Sequence, residues 1–235
     1  MIEVPSEWRQ LDSPYFSTLR MVELISDQIS KFPMTRNVVD LGCGIGAQTI
    51  HFANQFRELR FTGLDYNESR ISVANDLVIR KQLSNLTFLS QDISKLSGGD
   101  SRVDGVLSIH TLCCFKEIET FFQGILSIRP EWMIVNSLFW DGPLDVLIHI
   151  RDHTNLAPDE YVDSDFNIFS KDRVSEYLSK AGYKTKFLPF YPPEPLPVPQ
   201  HGARGTYTIK TDWDEHTQFS GPVHLPWNFL ISELL

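Results

Sequence analysis

A doubly wound α/β fold with one mostly parallel sheet is what the sequence predicts, and three observations predict it. Between residues 37 and 137, short apolar runs alternate with stretches of helical periodicity, the pattern of βα units repeated around a parallel sheet. The first apolar run, Val38-Val39-Asp40-Leu41, breaks into alternating glycines just before a helical stretch, and the second, Phe61-Thr62-Gly63-Leu64, ends on Asp65. Finally, 235 residues with 42% hydrophobic content suffice for one large core. A single domain over residues 1–235 is therefore expected.

Taken in order, a helix over 15–32 places Leu19, Val22, Ile25 and Ile29 on one face and should cover the sheet. Strands are expected over 38–41, 60–64, 86–89, 103–109 and 132–136, with helices over 47–56, 69–81 and 117–128 between them. Arg129-Pro130 is a stop signal for the last of these. Residues 139–169 mix Trp140, Tyr161, Phe166 and Phe169 with acidic residues, without strand periodicity. They are expected to form an inserted, mobile cap. Ser170 is an N-cap for a helix through Ala181 that Gly182 ends, and a sixth strand follows over 183–188. Residues 189–199 hold six prolines and predict an extended connection to a seventh strand over 205–211. The core would then comprise 33–137 and 170–211, with 212–235 as an extension.

Composition narrows the function. With 21 Lys plus Arg against 30 Asp plus Glu, the net charge is -9, which disfavours a nucleic-acid partner, because neutralising phosphates needs clustered cations. No apolar run approaches the ~18 residues of a membrane span, the run from Trp132 being interrupted at Asn136. The residues MIEVPSEWRQ lack the basic and apolar regions of a signal peptide. Three cysteines, two of them adjacent, suggest no disulfide framework. The expectation is a soluble cytoplasmic protein with no membrane partner.

The glycine run Gly42-Cys43-Gly44-Ile45-Gly46 lets backbone approach a ligand that side chains would block. A carboxylate at Asp65, closing the second strand, can accept hydrogen bonds from ribose hydroxyls. Together these runs resemble motif I and the following ribose-binding acid of the class I S-adenosylmethionine (SAM) dependent methyltransferases. Gln91-Asp92-Ile93 is similar to that family's adenine-contacting segment, and Val103 to Leu107 to its fourth strand. The resemblance spans about residues 37–137, and more loosely to 211. It implies a Rossmann-like seven-stranded, mostly parallel sheet with helices on both faces and an antiparallel C-terminal hairpin. It also implies SAM as cofactor, held by Asp40, Gly42, Cys43, Gly44, Gly46, Asp65, Tyr66, Asp92, Ile93 and Ser108. The glycine run also fits the dinucleotide pattern, ending on Ala47. Asp40 argues against NAD, since a carboxylate suits a cationic amino-acid moiety better than a phosphate.

In that family the acceptor approaches the end of the fourth strand, here Ser108-Ile109-His110-Thr111. The Pro-Pro-aromatic tetrad of amide and nucleobase methylators is missing there, as is the carboxylate set of metal-dependent catechol methylators. A small-molecule acceptor, methylated on a hydroxyl oxygen, is therefore expected. His110 is the candidate base, since an imidazole could take the hydroxyl proton near neutral pH, and Trp140 and Arg204 are candidate acceptor contacts. His149 and His153 would share one face of a solvated helix in the cap, without a third metal ligand. A SAM-binding protein without transferase activity, or a methyltransferase of protein side chains, are the alternatives.

Overall fold

The structure, a computed structural model, describes residues 11–97, 102–153, 160–198, 205–212, 214–221 and 223–235. The first half is built from βα units. Strand β1 (Asn37–Leu41) leads to helix α2 (Ala47–Gln55), β2 (Arg60–Asp65) to α3 (Glu68–Lys81), and β3 (Leu86–Ser90) through a 3-10 turn to β4 (Gly105–Ile109). Helix α4 (Ile118–Ile128) connects β4 to β5 (Trp132–Ser137). Ahead of them lies α1 (Phe16–Lys31), and after them come α5 (Lys171–Lys180), β10 (Tyr183–Pro189) and β13 (Asn228–Leu234). The seven-stranded sheet runs β10-β13-β5-β4-β1-β2-β3. Only β13 is antiparallel to its neighbours, β5 and β10.

Central strands are apolar on both faces, as a sheet covered by helices on each side requires. Val38 belongs to the core shared with α1, α2 and α3, whereas Val39 and Leu41 belong to the core shared with α4 and α5. The strand alternation extends to β5, where Trp132 and Ile134 face the first layer and Met133 and Val135 the second. Register in the middle of the sheet is fixed by volume. Gly105 pairs with Trp132, and a Cβ on that glycine would sit 2.2 Å from the indole, which buries fully and donates Nε1–H to Thr35 Oγ1 at 3.2 Å. Asp104 caps the start of the β1 layer by accepting the N–H groups of Arg36 and Asn37 at 2.8 and 2.9 Å.

Several expectations are corrected. The segment expected as the seventh strand contributes instead β11 (Thr206–Ile209), which pairs with β12 (Thr217–Ser220) in a separate ribbon. The strand that enters the sheet is β13, in the segment read as an extension. Its run Asn228 to Ile231 is fully enclosed, whereas β11 alternates polar residues and can bury little apolar area. The cap region also carries strands: β6 (Phe139–Trp140) pairs with β9 (Phe169–Ser170), and β7 (His149–Asp152) with β8 (Val162–Asp165). His149 is thus on a strand, not a helix, and His153 follows it. Phe139 and Phe169 are core residues packed with α4 and α5, not walls of a mobile cap. Helix α5 begins as expected, Ser170 Oγ accepting the Arg173 N–H at 3.1 Å. Of the proline-rich connection, Pro189 already belongs to β10, and Pro199 lies outside the described residues.

Since β13 is the strand that joins β10 to the rest of the sheet, its core side chains should carry a large share of stability. Leu230 is fully buried, and Leu230→Ala is expected to cost about 2–5 kcal/mol in urea unfolding. A loss below ~1 kcal/mol would mean the strand packs loosely.

Candidate active site

The sheet reverses its winding between β1 and β4, and an open α/β sheet forms its ligand crevice at such a point, outside the carboxyl ends of the strands. Leu41 ends β1, and its carbonyl accepts the hydroxyl groups of Ser108 at 3.0 Å and Thr111 at 3.3 Å, which lock the ends of β1 and β4 together. Ser108 is fully buried and committed to that bond. Its assignment as a cofactor contact is therefore corrected to a positioning one.

The glycine loop turns on positive φ angles at Gly42, Gly44 and Gly46. At Gly42 a Cβ would fall 2.2 Å from Thr111 Oγ1, so the glycine is needed for packing. At Gly44, by contrast, a Cβ would meet nothing within 4 Å. The backbone is bare there on the side where a ligand could approach. Asp65 fixes this loop: its Oδ2 accepts the Gly44 N–H at 3.0 Å and its Oδ1 the Asn67 N–H at 2.9 Å. Each carboxylate oxygen keeps acceptor capacity beyond one bond. Cys43 lies half-buried in the loop, its thiol pushed up by burial first and then by Asp40 and Asp65.

Asp40 sits beneath the loop, 2% exposed, with Thr49 Oγ1 donating to its Oδ2 at 2.5 Å. Burial raises its pKa to about 7; the Thr49 hydroxyl opposes the rise and the nearby Asp65 charge adds to it. Two carboxyl groups thus lie at one end of the sheet, and burial brings the titration of Asp40 up to about neutral pH. After β3, Asp92 caps a 3-10 turn by accepting the N–H and hydroxyl of Ser94 at 3.0 and 2.7 Å, and that hydroxyl is the largest influence holding its carboxyl below the usual range. The Gln91 N–H, bound to the Asp65 carbonyl at 2.9 Å, ties this segment to the end of β2. Ile93 packs into the core beside α4, and Tyr66 is 76% exposed beside Asp65.

At the end of β4, His110 has φ 57° and donates its backbone N–H to the Asn136 carbonyl at 2.9 Å. Its ring lies against Trp227, centroids 4.0 Å apart. Burial pushes the imidazole down to about 4, and the Asn136 side chain alongside favours the charged form too weakly to reverse this. The expectation of a base that titrates near neutral pH is corrected: His110 is a neutral imidazole throughout that range. Its Nε2 and the Asn136 Oδ1 are enclosed without a formed hydrogen bond, while part of the residue stays accessible.

Other candidates are not gathered into this site. Trp140 is 44% exposed on β6. Arg204 lies outside the described residues. His149 pairs with Asp163 at 2.9 Å and Asp165 at 3.6 Å, and among the described residues no three metal-ligating side chains form a metal-holding group. The sequence did not point to Trp227 or Asn136. The signal for Trp227 was there in the apolar run from Asn228, which makes Trp227 the residue entering a central strand.

Residues 38–128 match the family described as methyltransferase domain. Over 148 residues the chain is 25% identical to ajmaline N-methyltransferase of Rauvolfia serpentina, covering 60% of this chain and 47% of that protein. It is 27% identical over 96 residues to a fatty-acid O-methyltransferase of Mycolicibacterium smegmatis, covering 40% and 34%. The chain thus spans about half or less of the length of these curated relatives. Among solved structures, magnesium protoporphyrin IX methyltransferase of Synechocystis with bound SAM superposes with a TM-score of 0.56 at 13% identity, over 97% of this chain and 90% of that one. This likeness is one of fold.

The Asp40 proton makes stability depend on pH. Its folded pKa is raised from 3.8 to about 7, so the stability it contributes is fully present below the unfolded value and is lost as pH rises through the folded one. Wild-type stability should fall between pH 4 and 8 by a few kcal/mol, each tenfold change in acidity being worth ~1.4 kcal/mol, and Asp40→Asn should flatten that slope. Equal slopes in urea titrations of the two proteins would refute the assignment.

Proposed function

We propose that the protein is a SAM-dependent methyltransferase of small molecules, because residues 38–128 match the methyltransferase domain family on a sheet with its one antiparallel strand second from the edge. The observation that carries the proposal is the bare backbone at Gly44, held by Asp65 above the buried Asp40. These residues fit SAM. The Asp65 carboxylate retains acceptor capacity for the ribose hydroxyls, Gly44 admits the ligand to the backbone, and Asp40 would exchange its proton for the attraction of a cationic moiety. Asp92 and Tyr66, with Ile93 packed behind them, would bound the adenine.

When bound, SAM supplies a methyl group already activated on a sulfonium. The protein's task is then to align the acceptor and exclude water. His110, at the end of β4, would accept a hydrogen bond from an acceptor hydroxyl and take its proton as the oxygen is methylated. A second reading, transfer to nitrogen, is favoured by one observation: burial keeps His110 a weak base, with a pKa of about 4, and a neutral amine can shed its proton after transfer. Both small-molecule N- and O-methyltransferases occur among the relatives. Trp140 and Arg204 remain proposed acceptor contacts.

Two measurements test the proposal. Asp65→Ala should weaken SAM binding by calorimetry by about 1.5–3 kcal/mol, roughly ten- to a hundredfold, through loss of a charged acceptor. Unchanged affinity, or tight NAD binding by the wild type, would contradict it. Gly44→Val, which strains a positive-φ position and puts a side chain in the bare approach, should lose SAM binding while its far-UV circular dichroism stays that of a folded protein; normal binding by a folded variant would exclude the loop as cradle. Incubation of the wild type with methyl-labelled SAM and a panel of small phenols, carboxylic acids and amines should yield a labelled product, and none would leave only a binding protein.

A further inference from the structure

The ribbon β11–β12 presents one face to the body of the protein, and that face is polar. Side chains alternate along a strand, and the register pairs Thr206 with Ser220 and Thr208 with Gln218, so these four share a face. Thr206 Oγ1 accepts the indole N–H of Trp227 at 2.9 Å, the same indole that lies on the His110 ring at 4.0 Å. Thr208 Oγ1 accepts the Leu196 N–H at 2.9 Å, and the Ser220 hydroxyl donates to the Leu225 carbonyl at 2.6 Å. Three of the four are thereby satisfied. Gln218, 3% exposed, has neither its Oε1 nor its Nε2 in a hydrogen bond. On the opposite face Tyr207 and Phe219 stack at 5.0 Å, so the ribbon could have turned an apolar side inward and does not.

On the side of the Trp227 indole that His110 covers, His110 Nε2 and, alongside it, Asn136 Oδ1 are enclosed without a formed hydrogen bond. Each unpaired buried group is costly, and such groups imply a partner that the free protein does not supply. The aromatic surface between them is formed by Trp227 with Phe166 edge-on at 5.8 Å. A Gln carboxamide offers both a donor and an acceptor, so its complement is a group that does both. None of Gln218, His110 and Asn136 carries a charge at neutral pH.

We propose that Gln218 is a specificity-determining residue: the inner face of the β11–β12 ribbon closes over the acceptor, and the Gln218 carboxamide pairs with a planar, uncharged compound whose polar group both donates and accepts hydrogen bonds. This rests on the methyltransferase reading for its placement beside the cofactor crevice. Trp227 is the flat wall, and Thr206 holds it at the angle that the stacked acceptor needs. The ribbon must lift to admit the compound, since both Gln218 polar atoms are enclosed in the free state.

The test uses Gln218→Met, which keeps length and removes both polar atoms, with benzamide as the planar donor–acceptor probe and S-adenosylhomocysteine as the cofactor product. With that product bound, wild-type protein should bind benzamide in NMR titration, and the variant should bind it at least tenfold more weakly with unchanged affinity for the product. Its melting temperature should rise, because an unpaired buried amide has been removed; a merely structural glutamine would give a fall. Benzamide affinity unchanged by the substitution, wild-type protein that binds the product but not benzamide, or a lowered melting temperature would each overturn the proposal. Failure of the wild type to bind S-adenosylhomocysteine would instead overturn the methyltransferase reading, and this proposal with it.

Discussion

The carboxylate of Asp65 carries the arrangement on which the rest of the site depends. It closes β2 and takes the N–H groups of Gly44 and Asn67 at once, so one side chain sets both the glycine turn after β1 and the entry to α3. With Gly42 and Cys43 also donating to the Leu64 carbonyl at 2.7 and 3.0 Å, the turn is held to β2 by three bonds. A turn fixed this way can leave Gly44 bare, because the surrounding structure holds the loop in its left-handed geometry without help from a side chain.

The second constraint is electrostatic. Asp40 is buried and takes a hydrogen bond from the Thr49 hydroxyl, which is too little to hold a charge there, so it keeps a proton that water would have removed. A carboxyl poised near neutrality beside an ionised neighbour is a form of stored preference for positive charge. Its cost to the free protein is recovered only when a cation arrives. The opposite choice is made at His110, where enclosure and an aromatic neighbour hold the imidazole neutral. The carboxylate-bearing and neutral halves of the crevice are thus separated by the end of β4, where the Ser108 and Thr111 hydroxyls bind the Leu41 carbonyl.

The periphery follows different physics. The β7–β8 hairpin is held by exposed pairs such as His149 with Asp163, each worth little in water, and Leu144 and Leu147 stay 60% and 63% exposed. The β6–β9 pair is anchored differently, since Phe139 and Phe169 reach the core and Arg173 links α5 to Asp145, Glu117 and Glu119. The region after β5 is therefore rooted in the core through β6 and β9, while β7 and β8 rest on their own ladder.

What the sequence determined by itself was local. Short apolar runs, two of them carrying Asp40 and Asp65 at their ends, with glycines between strand and helix, identify the first five strands and the cofactor loop, because strand burial and turn chemistry both act over a few residues. Ser170 and Gly182 mark α5 for the same reason. Which run becomes β13 was decided by the tertiary structure: the sequence marks 205–211 as the seventh strand and 212–235 as an extension, and only packing against β5 and β10 rewards the more apolar run 228–234. His110 likewise could be placed at the end of β4 from its position alone. Its neutrality could not, since that arises from burial against Trp227, a residue far away in sequence that the completed sheet brings to its side.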